Sequence, residues 1–566
     1  MKDTEFNLWD ETWIKVKTED GEVHDVSLEE VLVHAERYTD IAGELPTQDF
    51  AIMRVLLAIL HTALFREPPE EPKDAWKDLW DKGHFPAEKI LEYKTHWYGR
   101  FYLFHPVHPF YQIVDDSYAD GKDPKPVEKL NGEMSESANK KRFFLLRSGI
   151  EKESLSYEEA ARWLIHYNAF DDANLRNPRP YISFLGQICC LFAHGRNLFE
   201  TLMLNLVLEK APNEPWNTNK PCWESDSRPL PPKQDKEAYK IDLPDNPAAL
   251  YTNQFRYMKL KRENGRVIGF TARAGAWFEP KGAFVEQMTY WKKVDAEKKQ
   301  KPMSNSQKEE DEIDQKQLAK SKKADDKKQD DNKNYVYVPY TYNSPRQMWR
   351  EFSSILTQTE AKKYDSGLIQ WLARIGNDVL NPDYIITFNT LGVKYKGQVP
   401  SQIENVFFDS LNLHLSLISE VRADWRKSIS DEISICEKIA NAVGRLKEGL
   451  MRAVGITESG NNKKRFDAGR KAAKEQYYYT IDIPFRRWLL SLDPTAYDET
   501  YQEKQAEWRK TAIDCAISLG EKLLHEAGQS AYIGREIIGS NGEMEVCASP
   551  KSFNVFMGDI NQFRKE

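Results

Sequence analysis

Apolar positions recur along this chain at alternating spacing in some stretches and at helical spacing in others, and each change of period marks a predicted element. Phe6-Asn7-Leu8-Trp9 and Trp13-Ile14-Lys15-Val16 read as short strands, with Glu19-Asp20-Gly21-Glu22 as a turn into another. Ser27 followed by Glu30 gives a capping-box signature ahead of Val31, Leu32 and Ala35, so a helix opens there. Ile52, Val55, Leu56, Ile59, Leu60 and Leu64 hold helical spacing across Phe50 to Phe65, and Pro68, Pro69 and Pro72 stop it.

Between Phe101 and Asp116 the run Phe104-His105-Pro106-Val107-His108-Pro109-Phe110-Tyr111-Gln112 predicts an ordered loop against a core. A polar segment, Gly132 to Ser156, follows. Helical spacing resumes at Tyr157 and again from Ile182 to Val207, whereas Tyr251 to Val294 alternates in β-like runs broken by Asn264-Gly265, a hairpin turn. Lys292 to Lys333 is built of Lys, Asp, Glu, Gln and Ser with nearly balanced charge, a composition expected to form a disordered insertion.

The last third changes character. Ile435, Ile439, Val443, Leu446 and Leu450 share one helical face, and Trp508, Ala512, Cys515, Leu519 and Leu523 share another. With helical stretches near Leu411 to Trp425 and Phe485 to Leu492, an antiparallel bundle of about four helices is the economical architecture.

At 566 residues, 40% hydrophobic and 30% charged, the chain is expected to be globular, with room for two to four domains. No run of about 18 unbroken apolar residues occurs and Met1 to Lys15 has no leader pattern, so a cytoplasmic location is expected. Eighty Lys+Arg against 88 Asp+Glu give a net charge of -8, which confines any nucleic-acid site to a local patch. The six cysteines form no CxxC pair, which argues against a zinc ribbon or a disulfide framework.

Catalytic signatures are missing: there is no GxxxxGK[ST] loop, HExxH or GxSxG. His105 and His108 are three apart but each precedes a proline, which disfavours the helix a metal pair would use; His194 has no adjacent nucleophile. Two segments do carry chemistry. Between Gly460 and Arg487, Lys463, Lys464, Arg470, Lys471 and Lys474 are interleaved with Phe466 and Tyr477 to Tyr479. On a helix, Lys463, Arg470 and Lys474 would share a face that holds a phosphate backbone, or is simply solvated. Thr390 to Pro400 reads as a tight projecting turn with Lys394, Lys396 and Gln398, suited to entering a groove or to joining two domains.

These residues together resemble a known family. Phe6-Asn7-Leu8 with Trp13-Ile14, His108-Pro109-Phe110-Tyr111-Gln112, Pro126-Val127-Glu128-Lys129-Leu130, Gly195 to Leu202, and Leu250-Tyr251-Thr252 leading to Arg256 and Leu260 are similar in order and spacing to CasA. CasA proteins are the large subunits of the type I-E CRISPR surveillance complex, Cascade. The resemblance spans nearly the whole chain. It implies an α+β protein, with a large mixed α/β N-terminal domain over 1–400 and an antiparallel four-helix bundle over 401–566. It implies as partners the crRNA, a double-stranded DNA target, the backbone, crRNA 5′-end and small subunits of the complex, and a helicase-nuclease, with no membrane.

The implied role is to read the protospacer-adjacent motif (PAM) from the minor groove, to start strand separation and R-loop formation with a glutamine-tipped wedge, to help hold the displaced strand and to recruit the nuclease, without cutting DNA. Carried over by position, the wedge falls on Lys396-Gly397-Gln398, with Gln402 the rival tip. A loop meeting the crRNA 5′ region falls on Gly132 to Gly149, with Lys141 and Arg142 beside the aromatic anchors Phe143 and Phe144. The family's reading lysine, on a β-hairpin, falls at Arg273 or Lys281. Its glycine-rich loop falls on Asp171 to Pro180, which holds no glycine here, so either Asn174, Asn177 and Arg179 read the groove with side chains or the PAM preference is unusual. The displaced strand would follow Lys463, Lys464, Arg470, Lys471 and Lys474. No cofactor or metal is expected. A scaffold that binds only protein partners is the alternative.

Overall fold

A computed structural model describes residues 4–114, 124–131, 150–171, 183–211, 213–226, 237–295, 335–340, 346–352, 366–381, 384–395, 403–418, 423–456, 462–492, 497–538 and 544–564. The chain divides into two compact units: residues 1–345, 358–379 and 387–410 form the larger, and 346–357, 380–386 and 411–566 the second. Residue 400, the boundary expected from the sequence, lies between two strands that pair with each other.

The larger unit opens with β1 (Glu5–Asn7), β2 (Ile14–Thr18), β3 (Val23–Val26), α1 (Leu28–Val33) and β4 (Tyr38–Ile41); β3, β2 and β4 form an antiparallel sheet in that order. Ser27 caps α1 by accepting from the Glu30 N–H at 3.2 Å, while the Glu30 carboxylate accepts from the Tyr38 hydroxyl at 2.9 Å. Then come α2 (Pro46–Phe65), α3 (Pro72–Lys82), α4 (Ala87–Trp97), β5 (Tyr102–Phe104), which pairs with β1, and β6 (Lys125–Pro126). After α5 (Ile150–Glu153), α6 (Tyr157–Phe170) starts at a complete capping box of Ser156 and Glu159.

The stretch Ile182 to Val207, expected to be helical, is instead a short 3-10 turn, the buried strand β7 (Cys190–His194) and the short helix α7 (Leu198–Leu204). A continuous apolar run has the same pattern whether it is a strand covered on both faces or a buried helix. The unit continues with the pair β8 (Glu209–Ala211) and β9 (Glu214–Pro215), α8 (Pro247–Tyr251), the hairpin β10 (Arg256–Glu263) and β11 (Arg266–Ala274), and the pair β12 (Trp291–Asp295) and β13 (Tyr335–Pro339). Lys292 to Asp295, expected to start the disordered insertion, are thus the ladder of β12; the rest of that insertion lies outside the described residues. After α9 (Gly367–Asp378), β14 (Ile385–Tyr395) joins β15 (Ile403–His414) on one side and β7 on the other. Thr390 to Tyr395 is therefore strand rather than turn, and so is Leu411 to His414, expected to be helical.

Among the described residues α2 is the one helix long and apolar enough to cross a membrane, and most of it is buried inside the larger unit. It is apolar nearly all round because other elements cover it from every side. Arg54 lies in its middle with 3% of its side chain exposed, and its guanidinium forks onto Glu286, itself 0% exposed, at 3.0 and 2.9 Å. The Tyr251 ring lies 4.2 Å from the guanidinium carbon.

The second unit is built on α10 (Ala423–Ala453), α11 (Lys463–Ser491), α12 (Tyr497–Ile533, interrupted at Gly528, φ 73°) and α13 (Ser549–Phe563), with the small hairpin β16 (Arg535–Ile538) and β17 (Met544–Cys547). Helices consecutive in the chain run antiparallel, whereas α10 and α12 run parallel, Glu432 meeting Arg509 and Leu446 meeting Gly520: Gly444 of α10 meets Arg470 and Lys474, while Met451 meets Gly469. Tyr477 donates to the Ala512 carbonyl at 3.3 Å and Trp488 Nε1 to that of Lys504 at 2.9 Å, and Gly449 lies against Ser552 of α13. Trp349 joins this unit by stacking on Phe485 at 4.3 Å and donating to Asp482 at 2.7 Å.

Two predictions follow from the interior of the larger unit. Glu286→Ala strands the Arg54 charge and should cost about 3–5 kcal/mol in urea unfolding of the full chain, whereas Arg54→Met with Glu286→Leu should cost much less; equal losses would mean the pair carries no uncompensated charge. His61 of α2 is buried with neither ring nitrogen hydrogen-bonded, and burial pulls its pKa down to about 3. The unfolded chain therefore takes up a proton below pH 6.5 that the folded chain refuses, so this group removes stability as pH falls. His61→Leu should lessen the loss between pH 6 and pH 5 by about 1.2 kcal/mol, read by denaturant unfolding at the two pH values.

Candidate nucleic-acid interface

The hairpin β10–β11 follows from its own residues. Met258 and Leu260 point inward, while Tyr257, Lys259 and Lys261 alternate outward. Asn264 and Gly265 both have positive φ (51° and 72°), the requirement of a two-residue turn matched to the strand twist. Arg273 sits half-buried on β11 opposite Tyr257, so it lies on the hairpin. Lys281 does not: it is exposed in a turn beyond the hairpin, before Gly282 (φ 71°).

Two segments singled out in the sequence have stems bound to this hairpin, and the stem of a third is bound to the end of α6 beside them. Residues 132–149 are preceded by β6, which pairs with β11 at Gly269 and Phe270; a Cβ at Gly269 would stand 2.8 Å from the Lys125 carbonyl. They are followed by Leu155, which exchanges backbone hydrogen bonds with Val267 of the same strand at 2.8 and 2.9 Å. Burial against Phe270, whose ring centre is 5.6 Å from the ammonium, pulls the Lys125 pKa below its ordinary value.

Residues 172–182 leave from Asp171 and return at Ser183, and the Ser183 N–H donates to the Asp171 carbonyl at 3.1 Å. Arg256, on the inward face of β10 and 3% exposed, donates from Nε to the Asp171 carboxylate and from Nη2 to the Asp171 carbonyl, each at 2.7 Å. Asn168 receives the Arg256 N–H at 2.9 Å and donates to the Asn253 carbonyl at 3.1 Å. Residues 396–402 join β14 to β15, and Tyr395, the last residue of β14, donates its hydroxyl to the Phe170 carbonyl beside Asp171. Gly186 makes room for that ring, since a methyl there would run into the Tyr395 hydroxyl.

The candidates Lys141, Arg142, Phe143, Phe144, Asn174, Asn177, Arg179, Lys396, Gly397, Gln398 and Gln402 lie outside the described residues. Sequence reasoning missed the pairing of Arg256 with Asp171 and of Tyr395 with Phe170, because letters 85 and 225 positions apart carry no sign that they touch.

In the second unit, α11 divides the basic residues. Lys463, Lys464 and Lys471 are exposed. Arg470 and Lys474 turn toward α10 at Gly444, and Arg470 pairs with Glu448 at 3.2 Å, so the expected face of Lys463, Arg470 and Lys474 is not one free surface. Tyr479 stands 81% exposed further along the helix.

The histidines serve local structure. His105 Nδ1 accepts the N–H groups of Val107 and His108 at 3.1 and 2.8 Å, and burial lowers the pKa of both imidazoles. His194 pairs with Asp40 at 3.0 Å, and that hydrogen bond raises its pKa. Among the described residues no three potential ligands gather for a metal.

The model of the family described as CRISPR-associated protein Cse1 matches residues 7–519. Fold and sequence thus define a CRISPR-associated protein. The chain belongs to the Cse1 family, whose members are also called CasA. The CasA/Cse1 of Thermus thermophilus is 34% identical over 223 residues, an alignment that covers 39% of this chain and 42% of that relative. The crystal structure of Thermobifida fusca Cse1 superposes with a TM-score of 0.77 at 25% identity, covering 100% of this chain and 99% of that one. A chain of a solved CRISPR RNA-guided surveillance complex has the same fold, with a TM-score of 0.60 at 16% identity over 92% of this chain and 98% of that one.

The division on α11 is testable. Replacing Lys463, Lys464 and Lys471 with Ala should weaken duplex binding alike for all sequences and flatten log affinity against log salt by roughly one unit per lost phosphate contact. Arg470→Ala should leave that slope alone, its charge being taken by Glu448. An unchanged slope in the triple variant would remove this face from the path of DNA.

Proposed function

We propose that the chain is the large subunit of a type I-E CRISPR surveillance complex that reads the PAM of double-stranded DNA and starts its opening. Its partners are the crRNA, the backbone, crRNA 5′-end and small subunits, the DNA target and the helicase-nuclease that it recruits. The chain recognises and opens; cleavage belongs to the recruited enzyme.

The observation that carries this reading is the convergence of stems around β10–β11. A duplex seated there would meet the hairpin with Arg273, beside the residues from which 172–182 and 396–402 depart. Minor-groove edges distinguish chiefly A·T from G·C pairs, which suits a short and tolerant motif. Phosphates running past the bundle would be held by charge on Lys463, Lys464 and Lys471 without base readout.

Parting the first base pair costs a few kcal/mol before guide pairing offsets it, so a side chain that fills the gap lowers the barrier where it is highest. In the assembled complex, Gln398→Ala, or Ala at 396–398 together, should slow R-loop formation on duplex DNA and leave single-stranded target binding intact. A duplex pre-melted beside the PAM should restore the rate. If only Gln402→Ala slows opening, the tip is Gln402; if neither does, the wedge assignment is wrong. A complete lack of salt-dependent DNA affinity would favour a protein-only scaffold instead.

A further inference from the structure

Three tyrosines follow one another on α11, and the packing of the bundle uses two of them. Tyr477 and Tyr478 are buried, Tyr477 donating to the Ala512 carbonyl and the Tyr478 ring centre lying 3.4 Å from the Arg350 guanidinium carbon. Tyr479 is instead 81% exposed, and Ile483, one turn further on, is 58% exposed. An exposed apolar side chain means little by itself, so the surroundings decide. Pro484 comes next inside the helix; it has no N–H, so the Thr480 carbonyl lacks its intrahelical donor, and the same exposed turn offers a backbone acceptor.

The charge around this pair has one sign. Lys471 stands eight residues before Tyr479 and Arg487 eight residues after it, and both are exposed. At 1.5 Å per residue each lies about 12 Å along the axis, and at about 100° per residue they fall on opposite flanks of the line through Tyr479. Arg465, also exposed, lies close to that line on the far side of Lys471. The carboxylates on this side of the helix are already paired, Glu475 with Arg350 at 3.7 Å and Asp482 with Arg486 at 3.0 Å.

We infer that Tyr479 is a stacking platform for a base of an unpaired nucleic-acid strand, which crosses α11 obliquely from the Lys471 flank to the Arg487 flank with Ile483 beside the base. The inference rests on, and deepens, the reading of the bundle as a holder of DNA phosphates. In a duplex the faces of each base are covered by its neighbours in the stack, so an exposed phenol ring gains nothing from it. A separated strand offers those faces, and because every base has one, stacking tolerates any sequence. Charge alone holds any polyanion; the ring makes this surface favour the separated strand. Protein hot spots also use Tyr and Arg, but they are ringed by neutral contacts that exclude water, and here the neighbours of the ring are cations.

The test uses the full chain, free and assembled with crRNA and its partner subunits. The probes are a fluorescent oligothymidylate and a hairpin duplex with the same number of phosphates. Tyr479→Ala should weaken oligothymidylate binding about tenfold while duplex binding, the salt slope and the melting temperature stay as in wild type, since no phosphate contact and no buried group is lost. Tyr479→Phe keeps the ring and should restore single-strand binding; Tyr479→Leu keeps bulk without a π face and should not. Wild-type oligothymidylate binding by Tyr479→Ala, or an equal loss on both probes, would overturn the inference. So would a Tyr479→Ala chain that binds both probes normally but no longer assembles with its partner subunits, which would mark a protein contact. The two readings fail separately. An unchanged salt slope in the Lys463, Lys464 and Lys471 variant, beside a Tyr479→Ala chain that loses the single strand, would strike the phosphate path and keep the platform. A flattened slope beside an unaffected Tyr479→Ala chain would do the reverse.

Discussion

The larger unit depends on a charge pair that water never reaches. Removing a guanidinium and a carboxylate from water is costly, and only close, forked geometry offsets it. Arg54 and Glu286 meet that condition, and the consequence extends along the chain: Glu286 also accepts the Met288 N–H at 3.0 Å, and the Met288 carbonyl accepts that of Leu191 in β7 at 2.9 Å. Helix α2 is thereby tied to β7, β7 to β14, and β14 ends at Tyr395, whose hydroxyl donates to the Phe170 carbonyl at the end of α6. The position of the candidate interface is thus set from the interior outward.

What could be read from sequence was what neighbouring residues decide among themselves. Asn264-Gly265 specified its hairpin because both positions need positive φ, and the apolar faces of α10 and α12 specified their helices because a period of 3.6 admits little else. What escaped was decided at a distance. Cys190 to His194 is a strand because β14 pairs with it, and nothing within its five letters separates it from a buried helix. Asp171 stood in the sequence as the start of a polar loop, and its role as the C-cap of α6 and acceptor for Arg256 required the fold.

The basic stripe on α11 shows the same limit for charge. Spacing put Lys463, Arg470 and Lys474 on one face, but spacing does not say which side of a helix its neighbours occupy. Gly444 lets α10 come close to Arg470 and Lys474, and Glu448 meets the first of them. The surface left to a polyanion is therefore displaced around the helix, toward Lys464 and Lys471. An acidic protein can in this way carry a local cationic surface while spending part of its positive charge on internal pairing.

The glycines that bring the bundle helices together limit how this unit can move. Side chains that interdigitate at ordinary separation let helices slide by small rotamer changes, the shear type of rearrangement. At Gly449, Gly469 and Gly520 the partner's side chain instead leaves no room for a Cβ, and at Gly444 a Cβ would be tightly pressed by Lys474 and Arg470. Sliding by a turn would drive that partner into the backbone or side chain of the adjacent residue. Sliding between these helices is therefore opposed at each of these contacts.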